Sequence, residues 1–196
     1  YKRQNKDSED YVRKLSRREF SAVTAATSLA MILPPIANAR MIASSEVSIK
    51  TPDGVCDALF VHPVKEKSPA VLMWPDILSL RPAFRMMATR LAESGYAVLC
   101  VNPYFRNSKA PVVAVGESFQ DESTRTKVMP MYRNLSEKTH TRDAKAFVSW
   151  LDEQDTVDSK RKMGTMGYCM GGPIVMLSLI HISEPTRRST IRVCRV

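Results

Sequence analysis

The chain has 196 residues, 44% of them hydrophobic and 25% charged, with 7 Gly, 12 Pro and 4 Cys. That composition excludes collagen-like, low-complexity and disulfide-dense classes and points to one domain, two at most; no apolar run is long enough for a membrane-spanning helix. The formal charge of +9 is carried by the ends, +4 in residues 1–40 and +3 in 177–196, leaving +2 for 41–176. A polyanion-binding surface concentrates basic side chains on the folded part, so nucleic acid is excluded as the main partner.

The chain opens on Tyr1, so a true start upstream is expected. Ser16-Arg17-Arg18-Glu19-Phe20 precedes an apolar run from Ala22 to Leu33 and then Ala37-Asn38-Ala39. A basic stretch, a short apolar stretch and an A-x-A site make a secretory signal. The paired arginines resemble the twin-arginine type, which exports folded proteins. The alternative is a short amphipathic surface helix, which Pro34-Pro35 would break early. Residues 1–39 are therefore expected to address the twin-arginine export machinery. The mature protein would begin near Arg40, in a bacterial periplasm or outside the cell.

Residues 44–50 and 55–61 flank Thr51-Pro52-Asp53-Gly54, a turn between two β-rich runs, which predicts a hairpin. Pro69 to Trp74 is a continuous apolar run ended by Pro75, the pattern of a strand covered on both faces. Phe84, Met87, Ala88 and Leu91 recur at helical spacing, with Gly95 as a stop. Tyr96 to Val101 is a second buried strand, stopped by Asn102-Pro103. Residues 105–136 show no clear period and predict a long excursion with short helical pieces. Ala144, Phe147, Val148 and Leu151 restore helical spacing, and Met163 to Met166 is a short third central strand. This alternation predicts an α/β fold, a mostly parallel sheet flanked by helices.

Gly167-Tyr168-Cys169-Met170-Gly171-Gly172 follows that strand directly. The spacing is that of a nucleophile elbow with Cys in place of the commoner Ser. A nucleophile on such a bend sits in a strained backbone, and Cβ atoms two residues to either side would strike the neighbouring strand and helix. The following helix aims its N–H groups and positive dipole end at the sulfur. Cys169 is thus the candidate nucleophile and the Met170 N–H a candidate oxyanion donor. The bland alternative is a structural thiol in a Gly-rich loop.

With these residues in place, segment 44–176 resembles the dienelactone hydrolase family of α/β-hydrolases. The resemblance runs through the hairpin, Trp74-Pro75-Asp76-Ile77, Gly95-Tyr96-Ala97-Val98, Asn102-Pro103-Tyr104 and, most specifically, Gly-Tyr-Cys-Met-Gly-Gly. It implies opening of lactones or cleavage of small esters by a Cys-His-Asp triad, with no metal or cofactor. It implies the Ile77 N–H as second oxyanion donor and Arg125 as a candidate for binding a substrate carboxylate, against a plain surface Arg. Asp76, at the carboxyl edge of the sheet, stands where the family commonly has a Glu that interacts with the resting thiol. Its alternative is a helix N-cap or solvated loop acid.

In this fold the triad acid and His follow the nucleophile. After Cys169 only His181 and Glu184 are available. His62 reads as an edge or surface residue and His140 as solvated or capping. The stretch from Leu177 to Arg187 reads like the translation of a sequencing-library adapter, so residues 177–196 are expected to be a non-native tail, with no role for His181 or Cys194. A fragment lacking its C-terminal strands, triad His and acid is therefore expected, inactive as it stands. Two other classes stay open: a thiol redox protein, which would want a second thiol near Cys169, and a non-catalytic binding member of the fold. Cys56 and Cys100 fall in predicted strands and demand no disulfide.

Overall fold

A computed structural model describes residues 39–182 and 190–191. The predicted targeting segment lies outside the described residues, apart from Ala39. Strands β1 (Ile42–Thr51) and β2 (Gly54–Pro63) pair antiparallel in a register that sets Thr51 opposite Gly54, so Pro52-Asp53 alone makes the turn. The Thr51 hydroxyl accepts from the Asp53 N–H at 3.2 Å and closes it. β3 (Ala70–Trp74) and β4 (Ala97–Val101) are buried at every position, as continuous apolar runs require.

Between them lies α1 (Pro82–Glu93), with proline in its first turn and Phe84, Ala88 and Ala92 buried four residues apart. Gly95, at φ +102°, turns the chain out of it. The excursion after β4 holds one 12-residue helix, α2 (Glu122–Arg133), longer than the short pieces the sequence predicts. Pro130 within it and a narrow face of Thr124 and Val128 hide its period. α3 (Glu137–Asp152) opens on a capping box: Ser136 Oγ accepts from the Thr139 N–H at 3.2 Å, and Thr139 Oγ1 from the Ser136 N–H at 2.9 Å. β5 (Gly164–Gly167) leads to α4 (Gly171–Ile182), and a two-residue strand β6 (Thr190–Ile191) pairs with β5. α4 thus runs past Met176.

The sheet order is β1-β2-β4-β3-β5-β6. β4, β3, β5 and β6 are parallel, and the β1–β2 and β2–β4 pairings are antiparallel, so the sheet is mixed with a parallel centre. Alternate residues of each strand feed two cores. One, on the α1 side, holds Val61, Met73, Val98, Phe84 and Ala88; the other holds Phe60, Leu72, Trp74, Leu99, Phe147 and Leu151. From β3 the chain goes first to β4 on one side and later to β5 on the other. β3 is therefore the strand at which the order reverses, and the crevice beyond its carboxyl end is where such sheets bind ligands.

A charge cluster ties the same end of the sheet together. Arg106, after β4, holds Asp143 of α3 through two bonds at 2.6 and 2.8 Å and Asp53 of the hairpin turn at 2.6 Å; Arg142 also reaches Asp53. Burial pushes the Asp143 carboxyl up, and its bonds to Arg106 oppose that shift.

Candidate active site

At the carboxyl end of β5 the Tyr168 N–H donates to Trp74 O at 3.2 Å, extending the β3–β5 ladder by one residue. The chain then bends. Cys169 adopts φ +50°, a left-handed conformation that a non-glycine residue holds only when its surroundings impose it. The Gly171 N–H donates to Tyr168 O at 2.8 Å and the Gly172 N–H to Cys169 O at 3.1 Å, and α4 begins.

Two of the three glycines are required by space. A Cβ on Gly171 would stand 2.5 Å from Trp74 O and 2.8 Å from Pro75 O; one on Gly167 would overlap the Gly171 carbonyl and reach Val175 Cγ2 at 2.9 Å. Gly172 has open space around it. The bend thus depends on close approach of α4 to the ends of β3 and β5, and it leaves Cys169 exposed. Cys56 and Cys100 are buried, and burial pushes both thiols well above their ordinary range, holding them protonated.

The facing wall is the loop after β3. Asp76 does not cap α1, whose N-cap is Arg81, and it is not a solvated acid either. Its Oδ1 accepts from the Leu78 N–H at 3.0 Å, and both its oxygens accept from Arg81 at 2.9 Å. Asp76 therefore shapes the loop, and no bond between it and Cys169 is present among the described residues. Arg81 in turn lies over the Phe84 ring at 4.9 Å. Within the loop Ser79 takes φ +64°, its N–H donating to Asp76 O at 2.9 Å.

Behind both walls stands Tyr104, fully buried. Its hydroxyl donates to Ile77 O at 3.0 Å and lies 3.2 Å from Met170 Sδ. Burial raises the phenol above its ordinary value, with the Asp76 charge adding to the shift, so it stays a donor. Neither the Ile77 N–H nor the Met170 N–H finds a protein acceptor among the described residues. Arg125, on α2, donates to the carbonyls of Phe119 and Gln120 at the entry to its own helix.

The two histidines with described side chains are not at the elbow. His62 lies in β2, an inner strand, with Nδ1 2.9 Å from Pro63 O and its ring against Phe60. His140 is not solvated: it is buried in α3 with its ring 6.2 Å from that of Trp74, and Ser136, not His140, caps the helix. Burial, with the Arg106 charge adding, pushes it down to about 4. His181 lies in the last turn of α4, and Glu184 and Cys194 lie outside the described residues. Sequence reasoning left Tyr104, Asn102, Ser79 and Arg81 without roles. The available signal was Asn102, a polar residue ending a buried strand at the ligand edge.

The family model of the dienelactone hydrolase family matches residues 56–186. A carboxymethylenebutenolidase of Pseudomonas putida is 28% identical over 132 residues, covering 67% of this chain and 53% of the relative. A structure from Klebsiella pneumoniae, provisionally described as a dienelactone hydrolase, superposes with TM-score 0.61 at 21% identity, over 76% of this chain and 58% of that one. A dienelactone hydrolase-like promiscuous phosphotriesterase from metagenomic libraries superposes with TM-score 0.54 at 21% identity, over 70% of this chain and 53% of that one. The chain spans about half the length of the Pseudomonas relative it matches. The mixed sheet, its flanking helices and the family match lead to one conclusion: the chain has an α/β-hydrolase fold and belongs to the dienelactone hydrolase family.

Proposed function

We propose that this chain supplies the nucleophile and oxyanion site of a hydrolase that cleaves carboxylic ester or lactone bonds, with Cys169 as the nucleophile. The observation that carries the proposal is the bend at φ +50°, which presents an exposed thiol at the start of α4. Sγ attacks the acyl carbon, the S–C bond forms, and the carbonyl π pair moves onto oxygen. The Met170 and Ile77 N–H groups stabilise that oxygen. Collapse expels the alcohol oxygen and leaves a thioester for water to open. In this chain the thiol proton passes to water and a good leaving group departs as its anion. The imidazole and orienting acid that would carry those protons and activate the water that opens the thioester are proposed to lie in sequence beyond this chain, so the thioester accumulates. The name of the Pseudomonas relative supports a lactone as the natural substrate class.

Asp76 acts in this proposal through the loop that carries Ile77, since its oxygens are engaged by Arg81 and Leu78. No observation favours thiol redox chemistry, because the other described thiols are buried in strands. We also propose that residues 1–39 direct twin-arginine export, on the strength of Arg17-Arg18 and Ala37-Asn38-Ala39. The enzymatic part is tested with p-nitrophenyl acetate. The chain should release p-nitrophenolate in a burst of one equivalent without sustained turnover, and Cys169→Ala should abolish the burst. An undiminished burst from Cys169→Ala would remove Cys169 from the role.

A further inference from the structure

We infer that Tyr104 is a positioning residue for the oxyanion site, its hydroxyl holding the backbone of the loop that supplies one donor and packing against the side chain of the residue that supplies the other. The inference rests on the assignment of Cys169 as nucleophile and of Ile77 and Met170 as donors. Those donors come from different places, Ile77 from the loop after β3 and Met170 from the elbow after β5. Tyr104 belongs to a third segment, after β4, and its one hydroxyl touches both: Ile77 O at 3.0 Å and Met170 Sδ at 3.2 Å.

The peptide between Ile77 and Leu78 is pinned at both ends. Its oxygen accepts from Tyr104, and its N–H donates to Asp76 Oδ1 at 3.0 Å. The preceding peptide, which carries the Ile77 N–H, is held as well, because its oxygen, Asp76 O, accepts from the Ser79 N–H at 2.9 Å; with both flanking peptides held, the direction of the Ile77 N–H is set. The loop is held a second time two residues on, where the Ser79 hydroxyl donates to Asn102 Oδ1 at 2.8 Å; the same oxygen accepts the Tyr104 N–H at 3.0 Å. Asn102 is itself anchored through its amide, which donates to Asp57 Oδ1 and Ser108 O. A hydroxyl buried among apolar groups is costly unless its bond is made, and a phenylalanine would fill the same space. Here the bond made is to the donor loop. Donors held at a fixed separation before charge develops need no reorganisation as the oxyanion forms, which is what such a tie contributes.

The test compares two reactions of the same sulfur in the full chain, both read by mass spectrometry at the Cys169 peptide. Acylation by p-nitrophenyl acetate forms an S–C bond through an oxyanion and expels p-nitrophenolate. Alkylation by iodoacetamide forms an S–C bond, expels iodide and builds no oxyanion. Tyr104→Phe should slow acylation by about tenfold, less than loss of a whole donor, and leave alkylation within about twofold of the parent. Ser79→Ala, which loosens the same loop without touching Tyr104, should slow acylation by about threefold with alkylation unchanged, and it carries the test if Tyr104→Phe does not fold. Equal slowing of both reactions, or no slowing of acylation, overturns the inference. The parent assignment fails separately and visibly, through acylation that persists in Cys169→Ala.

Discussion

Replacing Gly171 and Gly172 by alanine, one at a time, should move stability in opposite directions although the residues are adjacent. At Gly171 the added Cβ meets Trp74 O at 2.5 Å and Pro75 O at 2.8 Å, whereas ordinary contact starts at about 3.4 Å. Both obstacles are backbone at the buried end of β3, so the start of α4 must retreat by roughly half an ångström to one ångström in a close-packed region. Overpacking of that kind costs about 1–3 kcal/mol. At Gly172 nothing lies within 4 Å and the backbone is helical, so alanine should add about 0.5–1 kcal/mol through helix propensity. Urea melts read both, with the midpoint moving and the slope constant. By heat, a chain of this size shifts by about 2–4 °C per kcal/mol, so the two variants should separate by about 3–16 °C. Gly171→Ala should also alter the Cys169 alkylation rate, and Gly172→Ala should not. A Gly171→Ala protein as stable as its parent would show that α4 does not press on β3 and that the elbow glycines have another cause.

Three other expectations can be checked directly. The His140 pKa, about 4 in the fold against 6.5 unfolded, gives stability fully present above pH 6.5 and lost as the pH falls towards 4, because the unfolded chain binds the extra proton. That is at most about 3 kcal/mol, so His140→Leu should lose less stability than the parent between pH 7 and 4 in urea melts, by up to that amount. Arg106→Met strands Asp143, whose side chain is 3% exposed, and should cost about 3–5 kcal/mol by denaturant melts; Arg106→Met with Asp143→Leu should recover much of the loss. Cell fractionation of a bacterial host should find the protein exported, and Arg17→Lys with Arg18→Lys should retain it in the cytoplasm.

The central strands were legible because parallel strands covered on both faces must be apolar throughout: Val71 to Trp74 and Ala97 to Val101 are short apolar runs, and Pro75 and Asn102-Pro103 end them too soon for a helix. The elbow was legible because a bend of that tightness excludes Cβ atoms, and the collisions at Gly167 and Gly171 are with the strand and helix the spacing implies. What was not legible depends on contacts between distant segments. Asp53, Arg106 and Asp143 carry no joint signal in a single sequence, and they meet only after the hairpin, the loop after β4 and α3 have packed. His140 was misjudged for the same reason: its place near a helix start suggested solvent, but the Trp74 ring of β3 packs against that face, meeting both His140 and Phe147. α2 escaped because only Thr124 and Val128 are fully buried on it, too few to mark a period. Asp76 lies just past the carboxyl end of β3, as its place in the sequence implied, while its partner Arg81, five residues on, decides what its carboxylate does.

The most direct measurement traps the acyl group. After brief exposure to p-nitrophenyl acetate at neutral pH and quenching in acid, peptide mass spectrometry should find a single acetyl group on Cys169, removable by hydroxylamine as a thioester is, with Cys56 and Cys100 unmodified. An acetyl group on lysine or serine side chains, with the Cys169 peptide unchanged, would contradict the assignment of that sulfur as the attacking atom.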